Sequence, residues 1–107
     1  MNLVRKRLGL LLSTGPEHPN VNTAVGLSQA ALARGAEVYL YLIDDGVRAL
    51  AEPRVTALAD AGAKLFACAY GCQKRKLPLR DADQVTYCGL VVLTDLLNGT
   101  DRFVALN

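Results

Sequence analysis

The chain has 107 residues, of which 51% are hydrophobic and 21% are charged, and its net charge is +2. This length predicts a single domain over residues 1–107, and the composition excludes a disordered tail, a collagen-like chain and a coiled coil. The small net charge excludes a strongly basic surface, so we expect no direct nucleic-acid binding. The apolar runs are far shorter than the roughly 20 residues of a membrane helix, so we expect no membrane association.

The three cysteines are too few, and odd in number, for a disulfide scaffold. A basic segment at residues 5–7 precedes an apolar run of only about five residues, with no small-residue cleavage site after it. We therefore expect no signal peptide, a cytoplasmic location and reduced thiols.

Short apolar strands alternate with amphipathic helices along the chain. The pattern predicts strands at Leu8–Ser13, Glu37–Ile43, Lys64–Cys68, Val85–Tyr87 and Arg102–Leu106, and helices at Asn22–Arg34, Val47–Ala51, from Pro53 onward, Ala69–Lys76 and Leu90–Leu97. Strand–helix alternation with short connections predicts a single-domain α/β fold, a parallel flavodoxin-like sheet with helices on both faces.

Local signals predict where the helices begin and end. Asn22 or Thr23 can cap the first helix, Leu27 belongs to its apolar face, and Gly35 ends it. Pro53 fits the first position of a later helix. A polar connector at residues 79–84 precedes the fourth strand.

Ligands of parallel α/β sheets bind beyond the carboxyl ends of the strands. Cys68 stands at such an end, where a helix is predicted to begin. Backbone N–H groups and the positive end of the helix there favour the thiolate, which is the nucleophilic form of cysteine. The alternative role for Cys68 is that of a small buried hydrophobic residue.

The other two cysteines have weaker signals. Cys72 lies four residues after Cys68, on the same predicted helix face, and could be a resolving partner or a packing residue. Helical i,i+4 geometry is poor for a disulfide, which favours packing. For Cys88 we expect a packing role in the core.

His18 is the only histidine, and it lies in the loop at residues 15–20, which is predicted to face Cys68. It could act as a proton shuttle or cationic partner for the thiolate, and Glu17 could bind or orient a partner group. The alternative is an exposed loop histidine. His18 and the three cysteines could also form a zinc site. Their spacing fits no compact zinc module, so we expect no metal.

Several stretches resemble a known family when taken in order. Residues 10–17 (LLLSTGPE), the turn DDGV at residues 44–47 and residues 61–68 (AGAKLFAC) resemble the DsrE/DsrF-like family of small sulfur-relay proteins. The resemblance extends over nearly the whole chain, and it implies the α/β fold of that family.

The resemblance also implies a site. Family members that carry sulfur hold it as a persulfide on a cysteine after the third strand, and an Arg-Gly pair follows seven and eight residues later. Cys68 matches this cysteine: Arg75 follows at seven residues, and Lys76 at eight replaces the glycine. Some relatives have a second cysteine three residues after the first, whereas Cys72 lies four after. With Cys68 as acceptor, the resemblance points to Arg75 as a binding residue, and we also expect Gly15 and Glu17 of the first loop to be binding residues.

The implied function is that of a sulfur carrier or sulfurtransferase that needs no cofactor. Its partners would be sulfur-donor and sulfur-acceptor proteins, and its assembly a homotrimer or homohexamer. The apolar segment Leu90–Leu97 fits an assembly interface, although a covered core helix would have the same composition. Because some relatives lack the cysteine, a non-catalytic assembly subunit is one alternative. A small-ligand or metal-binding flavodoxin-like module is another.

Overall fold

The computed structural model describes residues 2–79 and 84–107 of the chain. Its strands are β1 (Arg7–Leu12), β2 (Glu37–Leu42), β3 (Lys64–Cys68), β4 (Val85–Cys88) and β5 (Arg102–Leu106). Its α-helices are α1 (Asn20–Ala33), α2 (Pro53–Asp60), α3 (Ala69–Lys74) and α4 (Leu90–Gly99), and a 3₁₀ helix spans Asp44–Ala51.

The strands form one five-stranded, all-parallel sheet in the order β4-β3-β2-β1-β5. The predicted α/β fold is therefore confirmed. The bounds of β3 and β5 agree with the sequence prediction, and the ends of β1, β2 and β4 differ from it by one residue. The reason is that continuous apolar runs are a strong local signal for buried parallel strands.

Helices cover both faces of the sheet, as the sequence predicts. The steps from β1 to β2, β3 and β4 all run in one direction, so right-handed crossovers place α1, α2 and α3 on the same face. The step from β4 to β5 returns across the sheet, and it places α4 on the opposite face.

The two faces differ in how completely they are buried. Under α1 to α3 the strand side chains are fully buried, among them Leu10, Leu12, Leu40 and Leu42. On the α4 face the stacked rings of Tyr39 and Phe66 are only partly buried. A single helix therefore leaves part of the α4 face open to solvent.

Three local predictions are wrong. Helix α1 begins at Asn20, with Pro19 at the N-cap and no side-chain cap, so neither Asn22 nor Thr23 caps it. Leu27 is exposed, because the buried face of α1 runs through Val21, Val25 and Ser28 instead.

Other helix bounds also differ, and α4 extends two residues beyond its predicted end at Leu97. The DDG turn is already part of the 3₁₀ helix, and α3 ends at Lys74, two residues before the predicted end. Most of the predicted connector at residues 79–84 lies outside the described residues, because the structure does not describe residues 80–83.

No helix in the described part of the chain is long and apolar enough to cross a membrane.

Candidate functional site

Cys68 lies at the end of β3, at the carboxyl edge of the sheet. Cys68 is the last residue of β3 and the N-cap of α3, and its Sγ accepts a hydrogen bond from the N–H of Gly71 at 3.4 Å. Helix α3 has only six residues. The polar contact at this sulfur is therefore a local N–H donor rather than the dipole of a long helix.

A cavity of about 340 Å³ opens beside Cys68. Its walls come from the end of β2, from α3 and from the start of α4. The lining residues are Ile43, Asp44, Cys68, Tyr70, Gly71, Lys74, Arg75, Gly89 and Leu90. The sequence analysis did not predict that α4 contributes to this cavity. Helix α4 begins just after β4 ends, and the position of β4 beside β3 follows only from the strand order of the sheet.

Arg75 is held in place at the wall of this cavity. Its Nε donates to Asp45 Oδ1 at 3.0 Å, and its Nη1 donates to the carbonyl oxygen of Gly71 at 3.3 Å. Lys74 and Arg75 bring positive charge to the cavity, and Asp44 brings negative charge. The predicted binding residue Arg75 thus lies beside the predicted acceptor Cys68.

Lys76 stands where the family motif has glycine, and its φ is 58°. This value lies in the left-handed region that glycine adopts without steric cost and other residues adopt rarely. The position that the resemblance aligns with that glycine thus has the backbone conformation that glycine favours. Lys76 adopts that conformation in this chain.

Cys72 lies behind the site rather than in the cavity wall. Its side chain is fully buried. Burial raises the pKa of the Cys72 thiol, the neighbouring Cys68 adds to this effect, and Arg75 opposes it. These properties are those of a packing residue, the role that the helical spacing favours.

Two residues beside Cys68 were not predicted as site residues. Cys88, at the end of β4, is the Cα partner of Cys68 in the sheet register. Tyr41, from β2, is fully buried, and its hydroxyl donates to the carbonyl oxygen of Gly89 at 3.0 Å. No local signal in the sequence could have found these neighbours, because they follow from strand pairing.

The loop after β1 does not bring its predicted residues to the Cys68 cavity. Glu17 pairs with Arg48 of the 3₁₀ helix at 2.8 Å, and Gly15 packs against the same pair. His18 Nδ1 accepts a hydrogen bond from the N–H of Asn20, where α1 begins. The expectation that this loop faces Cys68 is not met, since β2 lies between β1 and β3 in the sheet.

The donor atoms of the zinc site considered from the sequence do not converge. Within residues 2–79 and 84–107, no group of three or more histidine, cysteine, aspartate or glutamate side chains is arranged to hold a metal ion. His18 accordingly does not join the three cysteines in one cluster.

The fold and the site define a small parallel α/β protein with a cysteine at the carboxyl end of its third strand. The chain belongs to the DsrE/DsrF-like family, whose model matches residues 6–106. No curated protein sequence matches the chain significantly.

Solved structures share the fold. The YchN protein of E. coli is similar with a TM-score of 0.76 and 16% identity, over 99% of this chain and 100% of that one. A conserved protein of unknown function from Bacteroides thetaiotaomicron has a TM-score of 0.75 and 16% identity, over 94% of this chain and 95% of its own. At this identity the similarity concerns the fold alone.

Proposed function

We propose that this protein is a sulfur carrier that accepts sulfane sulfur as a persulfide on Cys68 and passes it to a second protein. The observation that carries the proposal is the position of Cys68 Sγ, beside a cavity at the carboxyl edge and next to an N–H donor. Family membership supports sulfur transfer over other thiol chemistry.

The proposed transfer is a thiol exchange at sulfur. The Cys68 thiolate attacks the terminal sulfur of a donor persulfide, the S–S bond of the donor breaks, and the donor cysteine leaves as a thiolate. The products are a Cys68 persulfide and a free donor thiol, with no external oxidant or reductant. Attack by an acceptor thiolate on the same terminal sulfur releases Cys68 again.

The cavity suits an extended persulfide better than a bare thiol. Cys68 is only 7% exposed, so its own sulfur is largely covered. A persulfide places its terminal sulfur about 2 Å further out, which is the length of an S–S bond. The negative charge of that sulfur would lie in a cavity lined by Lys74 and Arg75.

We further propose that the cavity mouth contacts other protein chains. Tyr70 and Leu90 line the cavity and are 71% and 60% exposed, and the next residue of α4, Val91, is 76% exposed. Apolar side chains in such numbers at one edge are typical of a protein interface. We propose homo-oligomeric assembly through the exposed start of α4 around Val91, with donor and acceptor proteins reaching the cavity from the side of Tyr70. The free cysteines agree with a cytoplasmic location.

Intact mass spectrometry after brief incubation with glutathione persulfide tests the carrier function. Wild type and Cys72→Ser should each gain one sulfur atom, and Cys68→Ser should gain none. A gain lost only in Cys72→Ser would move the acceptor to that residue. If no variant gains sulfur and all thiols alkylate slowly, the protein is a structural subunit instead.

A further inference from the structure

Cys68 and Cys88 lie opposite each other at the ends of two paired strands. They are Cα partners in the parallel register of β3 and β4, so both side chains project to the α4 face of the sheet. Neighbouring strands lie about 4.8 Å apart, which falls within the Cα spacing that a disulfide spans. The backbone therefore permits a bond between the two sulfurs.

The sulfur of Cys88 turns toward the neighbouring strand β3. Cys88 Sγ lies 3.9 Å from the carbonyl oxygen of Ala67, the residue immediately before Cys68. Burial raises the pKa of the Tyr41 phenol, and the nearby sulfurs of Cys88 and Cys68 raise it further. Both sulfurs therefore lie close to the same buried phenol.

Cys88 is better placed than Cys72 to react with a sulfur on Cys68. Cys72 is fully buried, and it follows Cys68 on a helix at a spacing that is poor for a disulfide. Cys88 is partly exposed. Burial raises the pKa of the Cys88 thiol, and the neighbouring Tyr41 hydroxyl opposes this shift.

We propose that Cys88 is a resolving thiol that discharges the Cys68 persulfide as hydrosulfide and leaves a Cys68–Cys88 disulfide. This inference rests on the sulfur-carrier function. It gives the site a second product, so that sulfur which meets no acceptor protein is released as an inorganic ion.

The reaction balances without an external oxidant. The Cys88 thiol gives its proton to the terminal sulfur and attacks Cys68 Sγ as the thiolate, the bond between Cys68 Sγ and the terminal sulfur breaks, and that sulfur leaves as HS⁻. The terminal sulfur is reduced by two electrons, and the pair of cysteine sulfurs is oxidised to the disulfide. A dithiol reductant then returns both cysteines to thiols.

The test follows sulfide and protein mass together after anaerobic loading with glutathione persulfide and removal of the excess donor. In wild type we expect one hydrosulfide per chain and a final mass two hydrogens below that of the reduced protein. In Cys88→Ser the Cys68 persulfide should persist, and sulfide release should slow by about tenfold or more.

Peptide mapping identifies the bond that forms. Trypsin leaves Cys68 and Cys72 on one peptide, residues 65–74, so the map is made in the Cys72→Ser background. We expect that peptide to be joined to the one containing Cys88. Cys72→Ser itself should release sulfide at the wild-type rate, which makes it the matched control.

The outcomes separate the two proposals. If Cys88→Ser gains a persulfide but releases sulfide as fast as wild type, the resolving role is overturned and the carrier function stands. The same holds if the wild-type tryptic peptide 65–74 is itself two hydrogens lighter, which would place the disulfide between Cys68 and Cys72. If Cys68 gains no sulfur even in Cys88→Ser, both proposals fail. Cys88→Ala, with its fold checked by circular dichroism, provides a second variant.

Discussion

Gly46 lies directly against the main-chain carbonyl group of Leu12, the last residue of β1. The same carbonyl oxygen accepts a hydrogen bond from the N–H of Ile43 at 3.0 Å. The 3₁₀ helix is therefore seated tightly on the ends of β1 and β2. This seating positions Asp44 at the Cys68 cavity and Asp45 against Arg75.

Gly46→Ala should destabilise the protein strongly, because its Cβ would overlap the backbone of Leu12. We expect the free energy of unfolding, measured by urea denaturation, to fall by about 3 kcal/mol. Gly26→Ala is the matched control, since its Cβ would meet open space on α1. It should stabilise the protein by up to about 1 kcal/mol. Equal effects of the two substitutions would contradict the tight seating.

Lys76→Gly should stabilise the protein, because glycine adopts the left-handed backbone at this position without the steric cost that lysine bears. The free energy of unfolding should rise by about 1 kcal/mol. Gln73→Gly, inside α3, should lower it by about as much. A loss of stability in Lys76→Gly would show that the lysine side chain has a structural role of its own.

Arg75→Gln should slow the loading of Cys68 by a small persulfide, because it removes positive charge from the cavity wall. We expect a decrease of about three- to tenfold in the loading rate, measured by quenched mass spectrometry, with a weaker dependence on salt. Arg48→Gln removes a similarly paired arginine outside the cavity and should load at the wild-type rate. Equal rates in all three proteins would exclude a role for the Arg75 charge.

The buried thiol of Cys72 should make stability depend on alkaline pH. Because its pKa is raised in the folded protein, the unfolded chain loses this proton first as the pH rises. The stabilising contribution is thus present below the ordinary thiol pKa of about 8.5 and is lost above it. Guanidine denaturation from about pH 7 to about pH 10, with reductant, should show a shallower decline for Cys72→Ala. Identical slopes would mean that the thiol ionises equally in both states.

Val91→Asp should dissociate the proposed assembly, because it places a charge on the exposed apolar start of α4. Size-exclusion chromatography with light scattering should show an oligomer for wild type and a monomer for the variant. Ala30→Asp, an exposed position on α1 across the sheet, should remain oligomeric. A monomeric wild type would overturn assembly through this surface.

Sequence patterns were reliable wherever one local signal decided the structure. Cys68 lies at a strand end, as predicted from the apolar run before it and the helix signals after it. Gly35 follows the first helix with a positive φ, as expected of a glycine that ends a helix. The predicted start of α1 was wrong because Pro19 occupies the N-cap. The His18 side chain, rather than that of Asn22 or Thr23, accepts a hydrogen bond from an N–H of the first turn.

By itself the sequence determined the order of strands and helices, the all-parallel sheet and the location of Cys68 at its carboxyl edge. Apolar periodicity and helix-end signals are local, so they can be read without knowledge of distant parts of the chain. Only the tertiary structure decided which residues surround Cys68. The strand order places β2 between the loop of His18 and Cys68, and it pairs Cys88 with Cys68 across β3 and β4. Strand order and register depend on packing between segments far apart in sequence, and no local pattern encodes them.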